Sequence, residues 1–186
     1  VGSELIEKGL RGIVVGYDGR LSSAEIAEGL IQGLCSTGVA VINIGMVPTP
    51  LVYFAANNSE YTSGISVTGS HNPPDYNGLK IVIDGNALSG TAITGLFDRI
   101  VEKRIIQSAV HGAVSHRDIV PEYTRYIADD IQIDRPLRVV VDCGNGVPGA
   151  VAPEVLRAIG AEVEEIYCEV DGNFPNHHPD PSDPDN

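Results

Sequence analysis

The stretch Val67-Thr68-Gly69-Ser70-His71-Asn72-Pro73-Pro74 runs on into Asp75-Tyr76-Asn77-Gly78-Leu79-Lys80-Ile81, and it concentrates more reactive side chains than any other part of the chain. It reads as a polar loop strung between two apolar strands. Gly69 permits close backbone approach, and the two prolines stiffen the exit. The Ser70 hydroxyl neighbours the His71 imidazole, and Lys80 returns at the start of the next strand. An exposed oxygen, a proton-shuttling group and a cation on a rigid loop suit a serine that exchanges a phosphoryl group. Serine and asparagine ahead of proline are also ordinary turn residues. A Ser-His-acid triad needs a third member, and none is identifiable. A P-loop and a G-x-S-x-G elbow both feed a helix, so the strand–loop–strand context excludes them.

Other reactive residues read more plainly. Asn145-Gly146 and Gly149 sit between a strand and a helix start, where phosphate can bind. They do not match G-x-G-x-x-G, and a tight structural turn is the simpler reading. His177, His178 and Asp180 fall in a Pro-rich connector rather than at metal-ligand spacing. Cys35, Cys143 and Cys168 are an odd set, far apart in sequence and without C-x-x-C spacing. That pattern predicts buried thiols in a reducing cytoplasm, not a disulfide framework or a zinc site.

The elements that position these groups follow from periodicity. Residues 12–15 form an apolar strand, followed by the turn Tyr17-Asp18-Gly19-Arg20. Ser22 or Ser23 caps a helix with Glu25 in its first turn and Ile26, Leu30, Ile31 and Leu34 as its buried stripe. Gly38 ends that helix, and residues 39–44 return as a second, parallel strand in a right-handed β-α-β unit. A short helix spans residues 51–57, with strands at 63–67 and 79–83. Residues 91–104 are helical, with Ile93, Leu96, Phe97, Ile100 and Val101 on one side. Periodicity lapses from about 107 to 117, which predicts a domain boundary. A helix then covers 119–130. Residues 137–141 open a second copy of the plan, with a helix at 151–159 and a strand from Gly160 onward, so the chain reads as repeated βαβ domains.

Composition bounds the partners. The 186 residues hold 12 basic and 25 acidic side chains, a formal charge of −13, with 42% hydrophobic residues. That is globular rather than disordered. Nucleic acid needs clustered Lys and Arg, which are missing here. No apolar run reaches the roughly 18–20 residues of a membrane span, and no signal pattern opens the chain.

Five stretches, in order, resemble the α-D-phosphohexomutase superfamily in its bacterial phosphomannomutase/phosphoglucomutase branch. They are Val15-Gly16-Tyr17-Asp18-Gly19-Arg20-Leu21-Ser22, Gly45-Met46-Val47-Pro48-Thr49-Pro50, the serine loop, Val141-Asp142-Cys143-Gly144-Asn145-Gly146, and the segment from Asp171-Gly172-Asn173-Phe174 to Pro181. The resemblance implies an α/β fold of mixed, largely parallel sheets flanked by helices. A first domain over residues 1–112 would hold a phosphoserine loop, and an incomplete second domain would cover 113–186. It implies an intramolecular phosphotransferase that interconverts the 1- and 6-phosphates of glucose or mannose. The route would pass through a phosphoserine at Ser70 and a hexose 1,6-bisphosphate. Ser70, His71 and Lys80 would be catalytic, with Asn72 and Arg20 supporting substrate or loop. Mg²⁺ would bind the Ser70 phosphate together with an Asp-rich loop, D-G-D-x-D-R, that this sequence does not contain. The partner would be a hexose phosphate, met by a cytoplasmic monomer without nucleic acid or membrane.

The missing loop makes the chain read as a fragment, inactive as a mutase by itself. Phosphoglucosamine mutase is the neighbouring alternative, disfavoured by Pro74-Asp75-Tyr76-Asn77. A serine hydrolase and a non-catalytic sugar-phosphate-binding module are the alternatives of other classes.

Overall fold

Strand β1 (Gly12–Tyr17) is buried along its length except at its last residue, which explains why Ile13, Val14 and Val15 follow without a polar break. A strand covered on both faces needs apolar side chains pointing both ways. In the computed structural model, which describes residues 1–184, β1 lies inside a six-stranded sheet. Ahead of it comes α1 (Gly2–Glu7). After it come α2 (Ser23–Ser36), β2 (Ala40–Met46), α3 (Thr49–Asn57), β3 (Gly64–Val67), β4 (Leu79–Ile83), β5 (Asn86–Ala87), α4 (Thr91–Val101) and β6 (Val114–His116). The strand order is β5-β4-β3-β1-β2-β6. β3, β1, β2 and β6 run parallel, while β4 and β5 return antiparallel.

The two faces hold separate apolar clusters. Leu5, Ile13, Val15, Ile31, Leu34 and Ile65 pack beneath α1 and α2. Val14, Ile44, Leu51 and Val52 pack beneath α3, joined by Ile119 and Val151 from later in the chain. Those later residues flank α5 (Val120–Asp130) and open α6 (Ala152–Ala158). β7 (Arg138–Asp142), a short 3₁₀ turn at Val147–Ala150, α6 and β8 (Glu162–Ile166) form a second βαβ unit with parallel strands. The repeat read from the sequence is therefore present.

Two local expectations need correction. The buried stripe of α2 is Ala27, Ile31, Leu34 and Cys35, and Ile26 is 39% exposed. The stripe follows i, i+4, i+7, i+8 from Ala27, and a small residue in it escaped a search for large ones. On α4 the apolar side faces out, with Phe97 64% exposed, while Leu96 packs inward. Arg99 is buried there because its guanidinium meets the carboxylates of Glu4 and Glu7 on α1. The first sheet also continues past residue 112, because β6 pairs with β2. The aperiodic stretch ahead of β6 is an extended strap held by backbone hydrogen bonds. Ser108 N–H donates to Ser36 O and Gly112 N–H to Cys35 O.

Ile65 is fully buried on the strand that delivers the serine loop. Ile65→Ala is expected to destabilise the fold by about 2–5 kcal/mol, by lost transfer energy plus a cavity. Urea unfolding followed by circular dichroism measures it.

Candidate active site

β1 and β3 are neighbours and run parallel, so the turn after one and the loop after the other leave the same sheet edge. Ligands of open α/β sheets gather at this carboxyl edge. The register places Tyr17 beside Val67, and Asp18 N–H then donates to Val67 O at 2.9 Å. Residues 68–78 form the loop, and β4 returns with Lys80 opposite Ser66.

Arg20 organises that loop from below. Its side chain is 1% exposed. Nε donates to Asp18 Oδ2 at 3.2 Å. Nη1 donates to the carbonyls of Pro73 and Tyr76, and Nη2 to those of Ser70 (2.9 Å) and Asn72 (2.7 Å). A guanidinium has five N–H donors, and all five are occupied by the protein. Of the two roles open to Arg20, bracing the loop is therefore the one its geometry serves, and no donor remains for a ligand.

Asp18 completes the brace. Its carboxylate also accepts from Arg20 N–H (3.1 Å), Gly69 N–H (3.2 Å) and the Ser23 hydroxyl. Gly69 is required because a Cβ there would stand 2.5 Å from Arg20 Cζ and 2.6 Å from Tyr76 O. Ser70 takes a left-handed backbone (φ 53°), uncommon for a residue with a Cβ and found where neighbours over-determine the chain. Its N–H donates to Thr68 Oγ1 at 3.0 Å, and the residue is exposed. Asn72 Nδ2 donates to Gly69 O at 2.9 Å, so Asn72 ties the loop to itself. Asn77 Nδ2 reaches the hydroxyls of Ser22 and Ser23 and anchors the exit. Ser23 and Asn77 were missed as supports, although both stand beside or inside the quoted motifs.

Ser70, His71 and Lys80 all line one cavity of about 560 Å³, with Arg20 in its floor. Asn72 lies outside the lining. The opposite wall comes from the second unit and includes Asp142, Cys143, Gly144, Phe174 and His177. The Phe174 ring covers the Arg20 guanidinium at 5.2 Å from its centroid, a cation–π contact that also shields the brace from water. Asn145, buried in its turn with φ 58°, donates through Nδ2 to Glu169 O and accepts from Asn176 Nδ2. Those bonds hold the turn, whose neighbours Gly144 and Gly146 line the cavity.

His177 is more than a connector. Nδ1 lies 2.9 Å from His178 O and Nε2 lies 3.0 Å from Asp142 Oδ1. Both neighbours are acceptors, so both ring nitrogens donate only in the imidazolium form. The His178 carbonyl first, and the Asp142 carboxylate second, raise its pKa above the ordinary 6.5. Sequence spacing held no signal for this pair, whose members are 35 residues apart.

The comparisons agree on one family. The model of phosphoglucomutase/phosphomannomutase α/β/α domain I matches residues 1–105, and that of domain II matches residues 121–186. Phosphomannomutase/phosphoglucomutase of Pseudomonas aeruginosa is 53% identical over 186 residues, covering all of this chain and 40% of the relative. Phosphoglucomutase of Neisseria gonorrhoeae is 45% identical with the same coverage. The crystal structure of a phosphoglucomutase/phosphomannomutase family protein from Burkholderia thailandensis superposes with a TM-score of 0.95 at 46% identity, over 99% of this chain and 42% of that one. The chain thus spans about 40% of the length of the curated relatives it matches.

Two outcomes test the geometry. Arg20→Met removes the guanidinium from the Asp18 carboxylate and from four carbonyls, and is expected to destabilise the protein by about 3–5 kcal/mol. Amide exchange over residues 69–78 should accelerate well beyond that of β1; Arg20→Lys, with three donors, should fall between. The His177 imidazole should titrate above 6.5 by NMR, and Asp142→Asn should lower its midpoint. Because the folded pKa is raised, the contact's stabilisation is complete below the unfolded value and is lost as pH rises through the folded one.

Proposed function

The chain belongs to the phosphoglucomutase/phosphomannomutase family, and from that premise we propose that it carries the phosphoryl-exchanging serine of a hexose-phosphate mutase. The observation that supports this most directly is the left-handed Ser70, held by the Arg20 brace at the mouth of a cavity shared with His71 and Lys80. In the proposed reaction, phosphorylated Ser70 faces a sugar hydroxyl. The Ser70 O–P bond breaks as a P–O bond to the sugar forms; the sugar hydroxyl proton passes to a base, for which His71 is the candidate, and the departing Ser70 oxygen takes up a proton to become the free hydroxyl. The bisphosphorylated sugar reorients, and its other phosphoryl group returns to Ser70. Lys80 offsets the charge of the serine phosphate, and catalysis is mostly positioning and electrostatics. Arg20 and Asn72 support the loop.

A divalent cation such as Mg²⁺ belongs to this proposal, but the described residues do not build its cage. Both Asp18 oxygens are taken by the brace, and Asp142 Oδ1 by His177 and Gly144 N–H. Among the described residues no group of three or more His, Cys, Asp or Glu is placed to hold a metal. The proposal has the protein working in the cytoplasm as a monomer on hexose phosphates, without nucleic acid or membrane. The charge of −13 supports the exclusion of nucleic acid. No helix among the described residues is long and apolar enough to cross a membrane.

The test uses the full-length gene product. Incubation with glucose 1,6-bisphosphate should leave one phosphoryl group on Ser70 by phosphopeptide mapping, and Ser70→Ala should lower turnover of glucose 1-phosphate about a thousandfold or more. A phosphate mapped elsewhere, or undiminished turnover, overturns the reading.

A further inference from the structure

Cys143 and Cys168 are far apart in sequence but adjacent in space. They follow β7 and β8, whose last residues Asp142 and Ile166 are register partners. Cys143 N–H donates to Ile166 O at 3.1 Å. The two sulfurs lie 3.4 Å apart, and Cys168 Sγ also faces Val141 O at 3.6 Å and Ile166 O at 3.5 Å. A disulfide spans about 2.05 Å, so closure needs the sulfurs to approach by about 1.4 Å, a side-chain movement. Cys35 sits apart, buried in the cluster beneath α2. Cys143 also lines the cavity that holds Ser70.

We propose that Cys143 and Cys168 form a reversible disulfide on exposure to a hydroperoxide, making a redox modification site in the wall of the candidate active cavity. This goes beyond the mutase reading and does not depend on it. One thiolate of the pair attacks the peroxide O–O bond, forming an S–O bond and releasing hydroxide. The other thiol, its proton given to solvent, then attacks the sulfenic sulfur. The S–S bond forms, the S–O bond breaks, and the departing hydroxide takes up a proton as water. Two thiols lose two hydrogens, and one hydrogen peroxide becomes two waters. Burial first, and then the contact with Cys168, push the Cys143 thiol up to about 12, so the linkage should form faster as pH rises.

Closure would stiffen this part of the wall. Cys143 O accepts Gly146 N–H at 2.7 Å, and Gly149 packs so closely on Cys168 that a Cβ there would lie 2.0 Å from its carbonyl. The linked sulfurs therefore join the two segments that shape the turn over residues 143–146.

The test treats the 186-residue chain, under native conditions, with a small excess of hydrogen peroxide. Intact mass should fall by two hydrogens, free thiols should drop from three to one, and peptide mapping should join Cys143 to Cys168. Dithiothreitol should reverse all three changes. Cys35→Ser should leave the linkage intact, whereas Cys143→Ser and Cys168→Ser should each abolish it and leave the surviving thiol of the pair to gain oxygen. Amide exchange over residues 143–146 should slow on oxidation. Three alkylatable thiols after peroxide, a linkage through Cys35, or only oxygen-adducted monothiols would each overturn the proposal. Mass and thiol count are independent of phosphate on Ser70, so failure here leaves the mutase reading standing, and the reverse also holds.

Discussion

A cation with almost no exposure cannot remain charged in a protein interior unless all its donors are met. Arg20 meets that condition with one carboxylate and four backbone carbonyls, all but the carboxylate drawn from the serine loop. The loop is thereby folded around a charge. Gly69, the left-handed Ser70 and the Asn72 self-contact are consequences of bringing four carbonyls to one planar fork. Lysine cannot replace that geometry, because an ammonium is a point charge with three donors and no fork.

The sheet supplies what the brace needs. Parallel neighbours β1 and β3 deliver Asp18 and Gly69 to the same edge, and antiparallel β4 brings Lys80 back beside the strand that launched the loop. The second unit then closes the far side of the cavity. Its segment near Gly172 lies so close to the Asp18–Arg20 turn that a Cβ would stand 2.6 Å from Gly19 O, and Phe174 follows over the guanidinium. Neither unit holds the cavity alone.

Much of this was legible in the residues. Apolar runs bounded by Gly and Pro marked the strands, and the serine loop stood out because Ser, His and Lys gathered in a segment too polar and too rich in Pro to continue a strand. What stayed hidden was long-range and polar. The burial of Arg99 depends on Glu4 and Glu7 from the far end of the domain, so helical periodicity assigned α4 the wrong inward face. The strap ahead of β6 lacks periodicity because its order comes from backbone hydrogen bonds, which leave no side-chain pattern. The Cys168–Cys143 pair arises from the register of β7 against β8, His177 meets Asp142 from the long loop after β8, and neither approach is encoded in spacing.

The brace also bears on how so acidic a chain would hold a phosphate. With a formal charge of −13, the overall field opposes an anion, and only local groups within about a Debye length of 8–10 Å can reverse it. Lys80 and His71 supply positive or protonatable groups at the cavity. The imidazolium of His177 adds little net field because Asp142 is paired to it. The larger effect is one of dipole orientation. Turning the carbonyls of Ser70, Asn72, Pro73 and Tyr76 inward onto Arg20 removes four partial negative charges from the face that would meet a serine phosphate. A loop of the same sequence without its arginine would point some of those oxygens at the ligand. Arg20 would therefore favour the anion without touching it, by deciding which end of each peptide faces the cavity.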